Sequence, residues 1–255
     1  ILVLVSCETK FSKIQKSKDG EAKLKAADTY FSKKNFEKAQ ILYEECFPNL
    51  KGTARYEEYY FKFAMSYYLG KDYLNAENIL KNFLSIFPES NLSEEAEYIR
   101  AICFYNQSPK PELDQTETQR ALSLLQSFLY AHPSSTKADT VQNYIDLLKA
   151  KLEQKQILSA FVYFNLSLYK SAAIAFTTIN EEYPDSKKSD YTKYYIILSN
   201  YEYARKSIND KQEERLKKTI EECYDFEQRY GESPYLKEVL AIKNKSQNYK
   251  IKKHE

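Results

Sequence analysis

KDYLNAENILKNFLSIFPES, residues 71–90, predicts one amphipathic helix. Tyr73 opens it, Ala76 is a small contact point, and Ile79, Leu80, Phe83, Leu84 and Phe87 recur at helical spacing. Pro88 stops the helix, lacking an amide hydrogen and clashing with the turn before it. Ser90 is placed to cap the next helix.

The block recurs. With the small residue as origin, Ala39, Ala76, Ala121, Ala172 and, less well matched, Thr219 fill the first column. Seven residues on stand Cys46, Phe83, Phe128, Ile179 and Phe226, all apolar. Eleven on stand Leu50, Phe87, His132, Tyr183 and Tyr230. Twelve on come Lys51, Pro88, Pro133, Pro184 and Gly231, mostly helix breakers. Fourteen on come Thr53, Ser90, Ser135, Ser186 and Ser233, hydroxyl residues suited to an N-cap. Five registered copies of stripe, breaker and cap predict an all-α helical repeat protein.

A partner helix precedes each of these B helices. Tyr60, Phe63, Ala64 and Tyr67 lie 16, 13, 12 and 9 residues before Ala76, in the aromatic, apolar, small and aromatic positions of the tetratricopeptide repeat. Ala27 and Tyr30 hold equivalent places before Ala39. Ala160 and Tyr163 do so before Ala172, in a degenerate copy with Gln156 and Ser159 off the pattern. The expected fold is a tetratricopeptide superhelix of about five helix pairs, with A helices lining the inner face. The small-residue column advances by 37, 45, 51 and 47 residues, whereas a plain repeat advances by about 34. The excess is assigned to the loop Ser108–Thr118, to a long helix over 137–156, and to a charged helix extension over 206–218.

Composition narrows the function. Lysine plus arginine total 38 against 36 acidic residues, a formal +2, and lack the strong excess expected of a nucleic-acid binder. Twenty-four tyrosines and no tryptophan suit thin two-helix layers, where a ring packs and its hydroxyl stays wet. Cys46, Cys103 and Cys223 fall on apolar helical positions in different repeats and read as small buried hydrophobes, neither metal ligands nor a disulfide framework.

Cys7 reads differently. The chain opens ILVLVSC, and Leu4-Val5-Ser6-Cys7 resembles the lipobox of bacterial lipoproteins, in which the cysteine is acylated and becomes the mature N-terminus. Residues 1–6 are then the remnant of a signal peptide, 7–19 a lipidated tether, 20–243 the repeat domain and 244–255 a polar tail. Several acyl chains, each contributing about 0.8 kcal/mol per buried methylene, anchor durably. Glu8 comes next with no acidic cluster, which by the same resemblance points to the periplasmic face of the outer membrane.

No catalytic constellation is visible. His132 occupies an apolar column and reads as a packed or rim histidine, and His254 lies in the tail. Glycine-rich phosphate loops, HExxH, GxSxG and metal-ligand spacing are lacking. Glu44-Glu45, Glu57-Glu58, Glu94-Glu95 and Glu221-Glu222 read as solvated helix faces. No catalytic residue, metal or cofactor is expected. Tyr59, Phe61, Tyr68 and Tyr98, outside the packing columns, are the candidates for a peptide-binding groove, although any one could instead pack on a neighbouring repeat.

Lipobox, tether and five uneven helix pairs together resemble BamD-type outer membrane assembly lipoproteins, most closely those of Bacteroidota. The resemblance spans nearly the whole chain. It rests on CETKFSKIQKS after the lipobox, on residues 51–90, on the LDQT loop (113–116) and on EECYDFEQRYGESPYLKEV (221–239). It implies a non-enzymatic scaffold, lipid-anchored through Cys7. The implied partners are the periplasmic domains of a BamA-like barrel subunit and unfolded outer membrane β-barrel proteins, with no nucleic acid. A different tetratricopeptide lipoprotein adaptor, serving the cell envelope or division, is the competing reading.

Overall fold

A computed structural model describes residues 10–249. Among them are twelve α-helices and no strand: α1 (Lys10–Gln15), α2 (Gly20–Ser32), α3 (Phe36–Leu50), α4 (Arg55–Leu69), α5 (Tyr73–Ile86), α6 (Ser93–Gln107), α7 (Thr116–Ala131), α8 (Ala138–Asn165), α9 (Tyr169–Glu182), α10 (Ser189–Arg205), α11 (Asn209–Arg229) and α12 (Leu236–Gln247). The fold class is all-α, of tetratricopeptide type. Five A/B pairs run from α2/α3 to α10/α11, and α12 comes last as a single closing helix. The chain divides into two compact units, Ile1–Lys149 and Ala150–Glu255, parting inside α8.

Each core has one plan: a B helix is clasped by its own A helix and by the next one. In the first unit, Ala76, Leu80 and Phe83 of α5 pack with Ala64 of α4 and with Ala96, Ile99 and Cys103 of α6. Leu42, Tyr43 and Cys46 of α3 meet Leu24 and Ala27 of α2 and Tyr59 and Phe63 of α4. Ala121, Leu125 and Phe128 of α7 meet Ala101 and Ile102 of α6 and Val141, Ile145 and Leu148 of α8. In the second unit Ala172, Phe176 and Ile179 of α9 meet Ile157 and Ala160 of α8 and Ile196 of α10. Cys223 and Phe226 of α11 meet Ile197 of α10 and Val239 and Ile242 of α12. The small-residue column, from Ala39 to Thr219, is fully buried in all five copies. A larger side chain there would push the helices apart, whereas each buried phenylalanine contributes roughly 1.5–3 kcal/mol.

Four B helices end alike. Phe87, His132, Tyr183 and Tyr230 are C-caps with φ between −125° and −128°. A proline in the next position excludes the helical region for the residue before it, which accounts for the first three; Gly231 succeeds the fourth. The serine two residues beyond the breaker then acts, though not as the N-cap itself. Ser90, Ser135, Ser186 and Ser233 accept from the amides of Leu92, Lys137, Lys188 and Tyr235 at 2.9–3.2 Å. Each hydroxyl also donates back to a carboxylate on the A helix of its own pair: Glu57, Glu94, Glu153 and Asp190. Glu57 and Glu94 are therefore not merely solvated, because they close the open end of a pair.

The uneven spacing resolves into parts. Eight loop residues (108–115) separate α6 from α7, with Thr116–Thr118 already in the first turn of α7. The 28 residues of α8 and the 21 of α11 supply the later excess. Two ends differ from expectation. Within the expected tether, α1 packs Phe11 and Ile14 on the first core. Within the expected tail, helix α12 continues to Gln247 and buries Ser246.

Candidate interaction surface

The four residues expected to line a groove lie between helices instead. Tyr59 is only 7% exposed. Its hydroxyl receives a hydrogen bond from Arg55 at 3.2 Å and donates weakly to Asp28 at 3.4 Å, and Lys62 lies 4.7 Å from its ring centre. Asp28 also accepts from the Tyr43 hydroxyl at 2.7 Å and from the Lys62 ammonium at 3.2 Å, so α2, α3 and α4 share one buried-edge polar knot. Burial, then the Asp28 carboxylate, pushes the Tyr43 phenol far above its usual value. Phe61 lies 5.5 Å from the Phe83 ring, Tyr68 lies 6.0 Å from Tyr73, and Tyr98 lies 5.9 Å from Phe128. Burial, then neighbouring Tyr144, raises Tyr98 to about 12. All four take part in helix packing, Tyr59 buried and Phe61, Tyr68 and Tyr98 partly buried.

The packing positions divide. Ala39, Ala64, Ala76, Ala121, Ala160 and Ala172 are buried to the last few per cent, Phe63 is buried, and Tyr60 and Tyr67 are half-buried against the first cores. Pro88, Pro133 and Pro184 act through backbone alone. Tyr163 departs from its expected role. It is 43% exposed, and Phe161 and Phe164 pack in its stead, Phe161 lying 4.6 Å from Tyr195. Tyr191 of the same cluster is raised to about 12, by burial first and Tyr195 second.

Cys46, Cys103 and Cys223 are buried free thiols. Burial raises all three, Cys103 and Cys223 to about 12, which removes them from nucleophilic chemistry at neutral pH. His132 stands at the rim of its pair, 2.8 Å from Glu97 and against Phe128. Among the described residues, no three His, Cys, Asp or Glu side chains converge where they could hold a metal ion, and no helix is long and apolar enough to cross a membrane. Cys7 lies outside the described residues.

The second unit carries a surface that the packing columns did not reveal. Around the α8–α9 turn, Val162, Tyr163, Leu166, Leu168 and Ile174 are all exposed, Leu166 at 64%. The sequence signal was present: FVYFNLSLY (161–169) holds too many apolar residues for one helical stripe, so some must face out.

A repeat of clasped helix pairs with buried thiols and an exposed apolar turn defines an all-α helical repeat protein. Residues 12–188 match the family described as YfiO, outer membrane lipoprotein, and the chain belongs to that BamD-type family. It is 27% identical over 92 residues to the outer membrane protein assembly factor BamD of Caulobacter vibrioides, a match covering 36% of this chain and 30% of that protein. Among solved structures, the TPR2AB-domain:pHSP90-complex of yeast Sti1 superposes with a TM-score of 0.44 at 12% identity, covering 90% of this chain and 98% of that one.

Proposed function

We propose that the chain is a non-enzymatic scaffold of outer membrane β-barrel assembly. In this reading it is anchored through acylated Cys7 at the periplasmic face of the outer membrane. It binds the periplasmic domains of a BamA-like barrel subunit and segments of unfolded barrel proteins. The observation that carries the binding role is the exposed apolar group at the α8–α9 turn, in a chain of the outer membrane lipoprotein family. Unfolded barrel segments alternate apolar and polar residues, and an apolar turn offers their apolar face a place to leave water.

Photo-crosslinkers at Leu166 and Leu168, in membranes, test this reading. Recovery of a barrel subunit or a barrel precursor supports it, and recovery of neither overturns it. Depletion separates it from an adaptor for division or other envelope work, because only a barrel-assembly role produces a general loss of outer membrane barrels. Intact-mass measurement of the membrane fraction reads acylation at Cys7 directly.

A further inference from the structure

The charge of the chain is nearly balanced overall but not locally. Residues 10–18 carry four lysines and no acid, and residues 33–38 carry three lysines and Glu37. Together they hold a formal +6, which leaves the rest of the chain at −4 against the whole chain's +2.

The first unit brings these two segments together. Phe11 of α1 lies 5.6 Å from Tyr30 near the end of α2, and the Lys38 ammonium sits 5.4 Å from the Phe11 ring centre. Gln15, at the other end of α1, bonds Glu45 further along α3 at 2.9 Å. Helix α1 therefore packs on α2 and reaches α3 through side chains, with Phe11 near the α2–α3 turn where Lys33 and Lys34 stand. Phe11 and Ile14 face the core, while Lys10, Lys13, Lys33 and Lys34 are exposed. Among the described residues, none of these four forms an ion pair with a carboxylate.

We infer that this lysine edge, Lys10, Lys13, Lys33, Lys34 and Lys38, binds the anionic phospholipid headgroups of the membrane that holds the chain. The inference rests on the proposed anchoring at Cys7. Only Glu8 and Thr9 separate Cys7 from Lys10, so a fully extended connection reaches about 11 Å at most. That is close to the Debye length of roughly 8–10 Å, inside which a lysine feels the surface potential of an anionic leaflet. The charges spread over one short helix and an adjoining turn, with no cupped pocket, which suits a diffuse surface better than a single bound anion. The apolar side of α1 is already used against the core, so the contact is electrostatic and not insertive. Acylation supplies the hold, and the lysines set which face of the first helix pair lies against the membrane.

The test uses the full chain with Cys7→Ser, so that binding does not depend on the acyl groups. Sedimentation is run with vesicles of phosphatidylcholine alone and of phosphatidylcholine mixed with phosphatidylglycerol. Binding to the anionic vesicles only is expected, weakening with salt. The double variants Lys10→Gln/Lys13→Gln and Lys33→Gln/Lys34→Gln should each lower the partition coefficient by roughly fivefold per lysine removed. Lys211→Gln/Lys217→Gln, on exposed positions of the second unit, should leave it unchanged. Equal binding to neutral vesicles, no loss in the first two variants, or capture of polyglutamate in place of vesicles would overturn the inference. Intact mass of the native chain keeps the two readings apart. Unmodified Cys7 with lysine-dependent vesicle binding removes the anchor alone, whereas acylated Cys7 without lysine dependence removes the lysine contact alone.

Discussion

The α4–α5 turn and the α6–α7 loop join equivalent helices of adjacent pairs by opposite means. In the turn, Gly70, Lys71 and Asp72 make the whole connection. Lys71 adopts φ 64°, its amide donates to the Tyr68 carbonyl and that of Asp72 to Tyr67, both at 3.0 Å. This is a Schellman closure, normally given to glycine. The turns at Lys34 and Ser167 repeat it, with φ 59° and 60°. The loop between α6 and α7 is eight residues long and is gathered around one buried side chain. The buried Gln115 amide donates to the carbonyls of Lys110 at 2.8 Å and Leu113 at 3.0 Å, while its oxygen accepts from Thr118 at 2.7 Å. Gln212 does the same beyond α10, donating to Arg205 and Ser207. A left-handed residue closes the first kind of connection through the backbone, and where it is lacking, as after α6 and α10, a buried amide supplies the missing partners.

If the two joints differ only in the connection, the cores they serve should respond alike. Phe83 and Phe128 fill the same column and are both almost fully buried. Phe83→Ala and Phe128→Ala should each lose roughly 3–5 kcal/mol in urea unfolding, and a large gap between them would show that the joint shapes the core. Alkaline titration probes the cores without mutation. Cys103 and Cys223 are raised from 9.0 to about 12 in the folded chain. The unfolded thiols ionise first, so stability present below pH 9 should fall as pH rises toward 12. The loss is on the order of 4 kcal/mol for each thiol. Urea midpoints across that range, with Cys103→Ala and Cys223→Ala as controls, read it.

The joints themselves should separate next. Gln115→Leu takes the amide donor from two carbonyls and leaves the Thr118 hydroxyl with Ser108 alone, and should cost about 2–3 kcal/mol. Asp72, which caps α5 through the Asn75 amide at 3.2 Å, has a smaller part. Asp72→Ala should cost about 1 kcal/mol. Equal losses would mean that the long loop is no more dependent on its side chain than the turn is on its cap.

The columns from Ala39 to Thr219 were legible because a B helix is clasped on both sides and so repeats the same apolar stripe whatever its neighbours. The position of Tyr59 was not, because whether its ring faces solvent depends on Asp28, Arg55 and Lys62, on α2 and α4. Tyr163 misled for a similar reason. Its helix α8 carries aromatics at 161, 163 and 164, and only packing against Tyr195 selects Phe161 and Phe164. Ser90 and its equivalents were read as caps from the local pattern, yet their second bond reaches a carboxylate 33 to 43 residues back on the A helix. No periodicity reports that partner.

The smallest effect is the most discriminating, because its sign is opposite. A lysine in the left-handed region is strained by roughly 1–2 kcal/mol, since its Cβ crowds the next carbonyl. Glycine removes that strain but gives the unfolded chain more freedom to lose, so Lys71→Gly should gain only about 0.5–1 kcal/mol. Ser167→Gly should do likewise in the second unit. Thermal unfolding should place both variants above the parent by a few degrees. Gly52, at φ 86° between α3 and α4, supplies the mirror experiment. Gly52→Ala should lower stability by a similar amount although open space surrounds the added Cβ. If Lys71→Gly fails to stabilise while Gly52→Ala destabilises as expected, the lysine side chain itself must be holding the turn. The short joint would then depend on a side chain after all, and the contrast with Gln115 would become one of degree.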